Sequence, residues 1–253
     1  MMRLTTFASG SSGNCALLTM DGVHILLDAG ISCRRICEHL ALSGVRPEDL
    51  SAVLITHEHS DHIAGLATLL KRCAAPVCAP RAVAGQLDRC IAGVAPRLNV
   101  VATGEDVPFG PLTVRCFPTS HDTAQSVGWR VTGSSVFALA TDTGCVTPEI
   151  VSGLLGAQAV LIEANHDVDM LLSGPYPFYL KRRILSERGH LSNADCAALA
   201  VRLAENGTRQ ILLGHLSREN NSPARAFETV AAALSGRADV YVAPAEDRFT
   251  LEV

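Results

Sequence analysis

Aromatic side chains are scarce in this sequence, at 4% of 253 residues, whereas hydrophobic residues together make up 48%. The core must therefore consist mainly of small and branched aliphatic side chains. Low-complexity tracts, interdomain linkers and clear internal repeats are also lacking, which argues against a repeat architecture and a largely disordered chain. Because this length is enough for one layered α/β unit, we expect a single domain over residues 1–253.

Paired cysteine motifs and long apolar runs are missing as well. The nine cysteines are odd in number and include no CxxC pair, which indicates buried, reduced thiols of a cytoplasmic protein. The first residues lack the apolar segment of a signal peptide, and no apolar run approaches the length of a membrane span. We therefore expect a cytoplasmic protein with no membrane partner.

Positive charge is not in excess, since 21 Lys and Arg residues face 25 Asp and Glu residues for a net charge of −4. This balance excludes a generally basic protein that coats nucleic acid, but it allows a local basic patch. The one dense basic group contains Lys181, Arg182, Arg183 and Arg188. Such a group is either a solvated helix face or a track for phosphate groups.

Against these absences stands one dense group of metal-ligand side chains, the segment THEHSDH at residues 56–62. A predicted buried strand over residues 51–56 leads into it. Apolar residues with helical spacing follow it and predict a helix over residues 62–72. The ligand-type side chains therefore lie on a strand-to-helix turn.

The spacing within this segment suits two metal ions better than one. His57 and His59 can point the same way from an extended backbone, and Asp61 and His62 lie where the chain turns. Imidazole and carboxylate groups suit Zn, Mn or Fe, and the absence of cysteine argues against a closed structural zinc site. The alternative is that one or two of these histidines only cap the helix or satisfy the loop. That alternative does not explain why four ligand-type residues occur together at this spacing.

The remaining sequence predicts strands first and alternating strands and helices afterwards. Helices are predicted from Ser32, from Ser192 and over residues 223–234. Further strands are predicted over residues 3–8, 15–20, 23–28, 75–79, 98–102, 112–117, 127–131, 135–140, 157–163, 211–213, 239–243 and 248–252.

Three more ligand-type residues each follow a predicted strand: His121, Asp142 and His215. Strand ends present side chains from a rigid frame, and sites in layered α/β folds collect there. Each residue also has a simpler interpretation when taken alone, as a loop histidine, a turn former and a polar group beside a helix. Together with the segment 56–62, their common position favours a shared site.

The HxHxDH motif followed by these three residues resembles the metallo-β-lactamase fold over essentially the whole chain. The resemblance implies an α/β fold, a four-layer αββα sandwich of two mixed β-sheets flanked by helices, with a site for two divalent metal ions, Zn or Mn. It implies that His57, His59 and His121 bind one ion, that Asp61, His62 and His215 bind the other, and that Asp142 bridges them.

Differences between this sequence and individual families of the superfamily argue against several of those families as matches. The commonest exported β-lactamases carry a cysteine where this chain has Asp142, and flavodiiron oxidoreductases carry a glutamate where it has His59. The extra C-terminal helices of glyoxalase II have no obvious counterpart, and the chain has no room for the inserted β-CASP domain of RNase J. Residues 9–14, 163–167, 189–193 and 214–221 closely resemble the YycJ/WalJ-like exonucleases, compact relatives of tRNase Z.

This second resemblance, and not composition, implies a metal-dependent phosphodiester hydrolase, a 5′-to-3′ exonuclease on single-stranded DNA or RNA. Two divalent cations would supply hydroxide from a bridging water and would hold the phosphoryl oxygens. One alternative is a hydrolase of a small phosphodiester or thioester on the same fold. The other is a non-catalytic binding protein, against which the seven intact ligand positions argue.

The resemblance to tRNase Z also implies an acid for the leaving sugar oxygen, a histidine oriented by a glutamate. The matching residues are His190 and Glu163, and Asp61 completes the predicted catalytic set. A carboxylate beside an imidazole favours its protonated form and holds its orientation. The alternative role for His190 is to cap the helix that begins at Ser192.

Six residues are predicted to contact substrate: Ser12, Asn14, His166, Lys181, Arg182 and Asn220. Backbone N–H groups and short polar side chains of the loop 9–14 can hold an anion, although such loops are more often plain turns. His166 could instead support a metal ligand or a turn. Asn220 could instead begin the following helix.

Overall fold

The computed structural model describes residues 1–253. The strands are β1 Met2–Ala8, β2 Cys15–Met20, β3 Val23–Leu27, β4 Ala52–Leu54, β5 Val77–Ala79, β6 Leu98–Val100, β7 Val107–Phe109, β8 Leu112–Thr119, β9 Ser126–Thr132, β10 Val136–Ala140, β11 Ala159–Glu163, β12 Gln210–Gly214, β13 Asp239–Val242 and β14 Phe249–Glu252. The helices are α1 Cys33–Leu42, α2 Ser60–Ile63, α3 Leu66–Leu69, α4 Arg81–Cys90, α5 Pro148–Leu154, α6 Val168–Ser173, α7 Phe178–Ile184, α8 Asn193–Glu205 and α9 Pro223–Leu234.

The strands form two mixed sheets of seven strands each. The order is β14-β1-β2-β3-β4-β5-β6 in the first sheet and β13-β12-β11-β10-β9-β8-β7 in the second. In each sheet an antiparallel half continues into a parallel half, which comprises β3 to β6 in the first sheet and β10 to β13 in the second. Since parallel strands end at the same edge, each sheet gathers several strand ends in one place.

Apolar side chains divide into three layers that match the strand alternation. Leu18 packs between the two sheets together with Trp129, whereas its neighbour Leu17 packs on the outer face of the first sheet with α1, α3 and α4. A third cluster joins the outer face of the second sheet to α5, α8 and α9. Because neighbouring strand residues point to opposite faces, both faces of each sheet are covered. The predicted four-layer αββα sandwich is confirmed.

The structure also agrees with the sequence at a helix start and at a hairpin turn. Ser32 caps α1 by accepting a hydrogen bond from the Arg35 N–H, and α9 spans the predicted residues. Asp21 and Gly22 both have positive φ in the β2–β3 hairpin, the conformation that a tight primed turn requires. All nine cysteines are free, six are buried, and Cys90 is exposed.

The predicted helix over residues 62–72 is wrong. The chain forms two single turns, α2 and α3, separated at Gly65, whose N–H donates to the Ala29 carbonyl at 2.8 Å. A Cβ at Gly65 would lie 2.1 Å from the Ile31 carbonyl oxygen, so this close approach depends on glycine. Four helices were not predicted, namely α4, α5, α6 and α7. None of the helices is both long enough and apolar enough to span a bilayer.

Candidate metal centre and active site

Polar side chains collect where the strands of both sheets end, at one edge of the sandwich. The segment 57–62 follows β4 of the first sheet, whereas Asp142 follows β10 and His215 follows β12 of the second sheet. His121 lies just after β8. The structure brings all seven predicted ligands together at this edge.

Two groups of ligand atoms can be distinguished. His57, His59 and His121 form one, in which the His57 Nε2 and His59 Nδ1 atoms lie 3.0 Å apart. Asp61, His62 and His215 form the other. There the Asp61 Oδ2 atom lies 3.3 Å from His62 Nε2 and 3.6 Å from His215 Nε2.

Asp142 lies between the two groups. Its Oδ2 atom is 3.3 Å from His62 Nε2, and its Oδ1 atom is 3.7 Å from His121 Nε2. Asp142 Oδ2 and His215 Nε2 are buried and have no hydrogen-bond partner. A buried acceptor without a partner is costly, and a cation bound to both atoms would remove that cost. The residues present therefore fit a pair of divalent metal ions.

Hydrogen bonds at Nδ1 orient four of the imidazoles. The four partners are Thr56 Oγ1 for His57 at 3.1 Å, Asp28 Oδ2 for His62 at 2.8 Å, the Gly189 carbonyl for His121 at 3.1 Å and Glu163 Oε1 for His215 at 2.8 Å. Each ring that donates from Nδ1 keeps a lone pair on Nε2. This is the common arrangement for histidines that bind metals.

Asp28 is a site residue that the sequence analysis missed. Besides His62, its carboxylate accepts hydrogen bonds from the Thr56 N–H at 2.9 Å and from the Thr56 hydroxyl at 3.0 Å. It immediately follows β3 and is 3% exposed. An aspartate directly after an apolar strand, as in the sequence LLDAG, was the available signal.

Glu163 connects the metal-ligand cluster to His190. Its Oε1 atom accepts from His190 Nδ1 at 2.7 Å and from His215 Nδ1 at 2.8 Å. Its Oε2 atom accepts from the backbone N–H groups of Thr143 and Leu191 at 2.9 and 3.1 Å. With both oxygens engaged in this way, Glu163 is suited to support the ligands rather than to bind a cation itself. The helix cap predicted as an alternative for His190 is supplied by Ser192 instead.

Electrostatics at the site favour bound positive charge. Burial opposes ionisation of Asp61, but the neighbouring His215 and His62 outweigh it and hold the Asp61 pKa well below its usual range. Burial likewise opposes ionisation of Asp142, yet the surrounding histidines lower its pKa. Burial lowers the pKa of His57, with a further contribution from His62. Ionised carboxylates beside imidazole form sites that attract divalent cations.

The pKa values of Glu163 and His190 shift in opposite directions because the two side chains interact. Burial disfavours both charged forms, but their mutual attraction and hydrogen bond dominate. The Glu163 pKa falls to about 2, and the His190 pKa rises above its usual value. The charged form of the His190 imidazole is therefore favoured next to the ligand cluster.

Backbone strain marks the same edge. Asp28, Asp142 and His215 have φ values of 56°, 55° and 55°, in the left-handed region that residues other than glycine rarely adopt. Each of them lies one or two residues after a strand, so the chain turns sharply where it presents the side chain. Strain of this kind persists where surrounding contacts fix the conformation, and it concentrates at functional sites.

The predicted substrate-contacting residues have differing surroundings. Ser12 is exposed and accepts a hydrogen bond from Arg218 Nη2 at 2.9 Å. Asn14 is buried, and its Nδ2 atom lies 3.2 Å from Asp61 Oδ2 and 3.0 Å from His62 Nε2. Asn14 therefore contacts two predicted ligands directly, and its role in substrate binding stays a prediction.

His166 and Asn220 are both buried and carry polar atoms without partners, namely both ring nitrogens of His166 and the Oδ1 atom of Asn220. On α7, the Lys181 ammonium donates to the Leu172 carbonyl at 2.7 Å. The exposed Arg182 guanidinium lies 5.9 Å from the centre of the Phe178 ring. Their predicted substrate contacts are likewise not tested by these positions.

A pocket of about 170 Å³ opens beside the metal-ligand cluster. Its lining includes His121 and His190 from the site, Asn165 and Ser217 from adjacent loops, and Tyr176 before α7. A larger cavity of about 710 Å³ lies between β8, β9 and α5, and none of the seven ligand residues lines it. Of these two cavities, only the smaller is lined by residues of the candidate site.

Comparison with known proteins agrees with this geometry. A family model described as Beta-lactamase superfamily domain matches residues 24–216, from β3 to just beyond His215. The chain belongs to the metallo-β-lactamase superfamily. The fold of this superfamily implies divalent metal ions, and the clustered histidines and aspartates form groups that could hold them.

Within the superfamily, the chain is similar to two bacterial exonucleases. It is 40% identical over 223 residues to exodeoxyribonuclease WalJ of Streptococcus pneumoniae, an alignment that covers 87% of this chain and 83% of that protein. It is 35% identical over 222 residues to exodeoxyribonuclease YycJ of Bacillus anthracis, with coverage of 87% and 84%. Among solved structures, the metallo-β-lactamase fold protein YhfI of Bacillus subtilis superimposes with a TM-score of 0.77 at 19% identity, over the full length of both chains.

Proposed function

We propose that this protein is a metal-dependent phosphodiester hydrolase that removes nucleotides from the 5′ end of single-stranded DNA. One observation carries the proposal: His190 donates to Glu163 at 2.7 Å, and the same Glu163 oxygen accepts from the predicted ligand His215 at 2.8 Å. This hydrogen-bonded chain supports the proposal of a proton donor next to a cluster suited to divalent cations. The similarity to exodeoxyribonucleases WalJ and YycJ over 87% of the chain supports DNA as the polymer.

Zn or Mn is the proposed cofactor, as two ions held by the seven ligand residues. His57, His59 and His121 would hold one ion, Asp61, His62 and His215 would hold the other, and Asp142 would contact both. Bound there, the ions would supply Lewis acidity and an activated water for attack on phosphorus. The donor set of imidazole and carboxylate without cysteine suits either metal.

The protein's own side chains would contribute the proton that the leaving group requires. The departing sugar oxygen needs one, and His190 is suited to give it, because its Nδ1 is held by Glu163 and its Nε2 is left for the substrate. The His190 side chain is 22% exposed and lines the pocket beside the cluster, so a bound phosphodiester can reach it. Glu163 keeps the imidazole oriented and favours its charged form.

Positive charge at the pocket supports a polyanionic substrate. Lys181 and Arg182 lie on α7, and Arg188 lies in the loop after it. Arg183 pairs with Asp122 at 2.5 Å and also lines the pocket. These side chains would follow the phosphate backbone of a strand entering the site, and affinity should then fall with rising salt concentration.

The test uses single-stranded DNA that carries a 5′-phosphate and a 3′ label, with Mn²⁺ or Zn²⁺ and purified protein. Progressive shortening of the labelled strand from its 5′ end is the expected result, with no shortening by the Asp61→Ala variant. Intact DNA in the presence of protein that binds two metal ions would contradict the proposal. In that case RNA, bis-p-nitrophenyl phosphate and lactoylglutathione would distinguish the remaining hydrolase activities.

A further inference from the structure

Three aromatic residues lie at the start of α7 in a chain that has few of them, and one of them, Tyr176, lines the pocket. Tyr176, Phe178 and Tyr179 fall within four positions, although the whole sequence holds only 7 Phe, 3 Tyr and 1 Trp. Phe178 and Tyr179 are 75% and 74% exposed, whereas the next most exposed aromatic side chain, Phe227, is 44% exposed. Aromatic rings elsewhere are largely withdrawn from solvent, so this pair is an exception that packing does not explain.

The helix that carries the exposed rings lies beside the pocket at the metal-ligand cluster. On the inner side of α7, Leu180, Arg183 and Ile184 line the same pocket as His121 and His190. The loop after α7 is tied to this region as well, since Arg188 Nε donates to the His121 carbonyl at 2.9 Å. The outer face of α7 therefore has a fixed position relative to the predicted catalytic residues.

The outer face combines aromatic rings with cations. Phe178 and Arg182 are four positions apart on α7, and the Arg182 guanidinium lies 5.9 Å from the centre of the Phe178 ring. Tyr179 is adjacent, and Lys181 donates to the Leu172 carbonyl at 2.7 Å, which ties α7 to α6. Ring faces that accept bases, next to cations that accept phosphates, are the two components of a binding surface for single strands.

Charge argues for a nucleic acid rather than a second copy of this chain on the α7 face. Across a two-fold interface the same surface meets itself, so the cations Lys181 and Arg182 of the outer face would approach their own copies. Like charges brought together in this way oppose association. A polyanion has the complementary charge, and only its unpaired bases have faces free to stack.

We propose that Phe178 and Tyr179 form a stacking platform for the unpaired bases of the DNA strand, with Tyr176 at its pocket end. This proposal rests on the proposed function, since it names the part of the substrate that α7 binds. Stacking on the platform would hold the strand while its 5′ end occupies the pocket beside His190. A duplex, whose base faces are covered, would not gain this contact.

The experiment measures equilibrium binding, which does not depend on cleavage. The probe is a 5′-phosphorylated oligothymidylate with phosphorothioate linkages and a 3′ fluorophore, and the readout is fluorescence anisotropy of the metal-loaded protein. A second probe of the same length has abasic sugars in place of the nucleotides after the first. The variants are Phe178→Ala with Tyr179→Ala, the ring-free but apolar Phe178→Leu with Tyr179→Leu, and Phe227→Ala as a matched exposed aromatic.

Loss of a stacked base on each ring should raise the Kd of both double variants for the base-containing probe by roughly 5- to 100-fold per ring. The abasic probe should bind the wild type and both double variants equally, and Phe227→Ala should bind both probes as the wild type does. Unchanged melting temperatures would verify that the variants fold. An exonuclease assay of the wild type, run beside this test, would reveal a failure of the proposed function separately.

Three results would overturn the platform. One is wild-type affinity of the Ala double variant for the base-containing probe. Another is an equal loss of affinity for the abasic probe, which would assign the effect to backbone contacts. The third is a change in sedimentation behaviour between wild type and double variant, with the Leu double variant restoring both mass and binding, which would make this face an interface between copies of the chain.

Discussion

The two sheets contribute to the site in parallel ways, with one difference that separates their roles. Each sheet places a buried carboxylate at a strand end behind the ligands, Asp28 after β3 and Glu163 at the end of β11. Asp28 accepts from the predicted ligand His62 and from Thr56. Glu163 accepts from the predicted ligand His215 and also from His190, which is partly exposed to the pocket.

This difference indicates that the two sheets have different roles in the proposed reaction. The first sheet supports predicted ligands alone, so its proposed contribution is to hold cations in place. The second sheet supports a predicted ligand and the proposed proton donor His190 through one oxygen atom of Glu163. The two functions are therefore coupled in the second sheet, and a change at Glu163 should affect both, whereas a change at Asp28 should affect only one.

The largest effect is expected from Asp142→Ala, which removes the one ligand that contacts both groups. Loss of metal-dependent charge stabilisation should lower turnover on the order of 10³-fold or more, and bound metal should fall below two ions per chain. Turnover on labelled DNA and elemental analysis measure the two quantities. Asp239→Ala, at an exposed strand position, is the matched control. Full metal content in Asp142→Ala would remove it from the ligand set.

His190→Ala should have the second-largest effect on turnover. It should also distinguish loss of the general acid from loss of bound metal. Loss of a general acid lowers turnover by roughly 10²- to 10⁴-fold, and the two metal ions should stay bound. The deficit should shrink on bis-p-nitrophenyl phosphate, because its leaving group needs little protonation. His24→Ala, at a histidine on β3 that does not line the pocket, is the control. A parallel loss of metal would instead make His190 a ligand.

A direct test of the comparison pairs Glu163→Gln with Asp28→Asn. Each variant should weaken metal binding by roughly 10- to 100-fold, because each removes a carboxylate that orients a ligand. At saturating metal, Asp28→Asn should recover most of its turnover, while Glu163→Gln should remain slow because His190 has lost its charged partner. Calorimetric metal titration and turnover at several metal concentrations measure this. Equal recovery of both variants would show that the sheets do not differ in role.

The smallest effects concern the glycines behind each half of the site. A Cβ at Gly30 would lie 1.6 Å from the Asp61 carbonyl oxygen, and one at Gly189 would lie 2.1 Å from the Ile184 carbonyl oxygen. Gly30→Ala and Gly189→Ala should each cost about 1–3 kcal/mol of unfolding free energy. Gly85→Ala, where a Cβ meets nothing on α4, should add about 0.5–1 kcal/mol. Urea unfolding measures all three, and equal midpoints would contradict the predicted crowding.

Much of the fold was predictable because its signals are local. Alternating or continuous apolar runs predicted most of the strands, and Ser32 and Ser192 marked the starts of α1 and α8. The failures have tertiary causes. The helix after His62 breaks at Gly65, since the Gly65 N–H bonds to Ala29 instead of continuing the helix. Helix α4, which the sequence analysis does not predict, buries Val83, Ala84 and Leu87 at helical spacing, so its signal is local.

The sequence by itself determined the chemical identity of the candidate centre. Seven histidine and aspartate residues in an order that resembles the metallo-β-lactamase fold predicted the ligands, and the strands that precede them are encoded by local apolar patterns. Only the tertiary structure decided how they are supported. Asp28 and Glu163 come to lie behind the ligands, and α7 comes to lie beside the pocket, through the packing of two sheets whose residues are far apart in the chain. Such contacts depend on where whole strands end relative to one another, which no local pattern encodes.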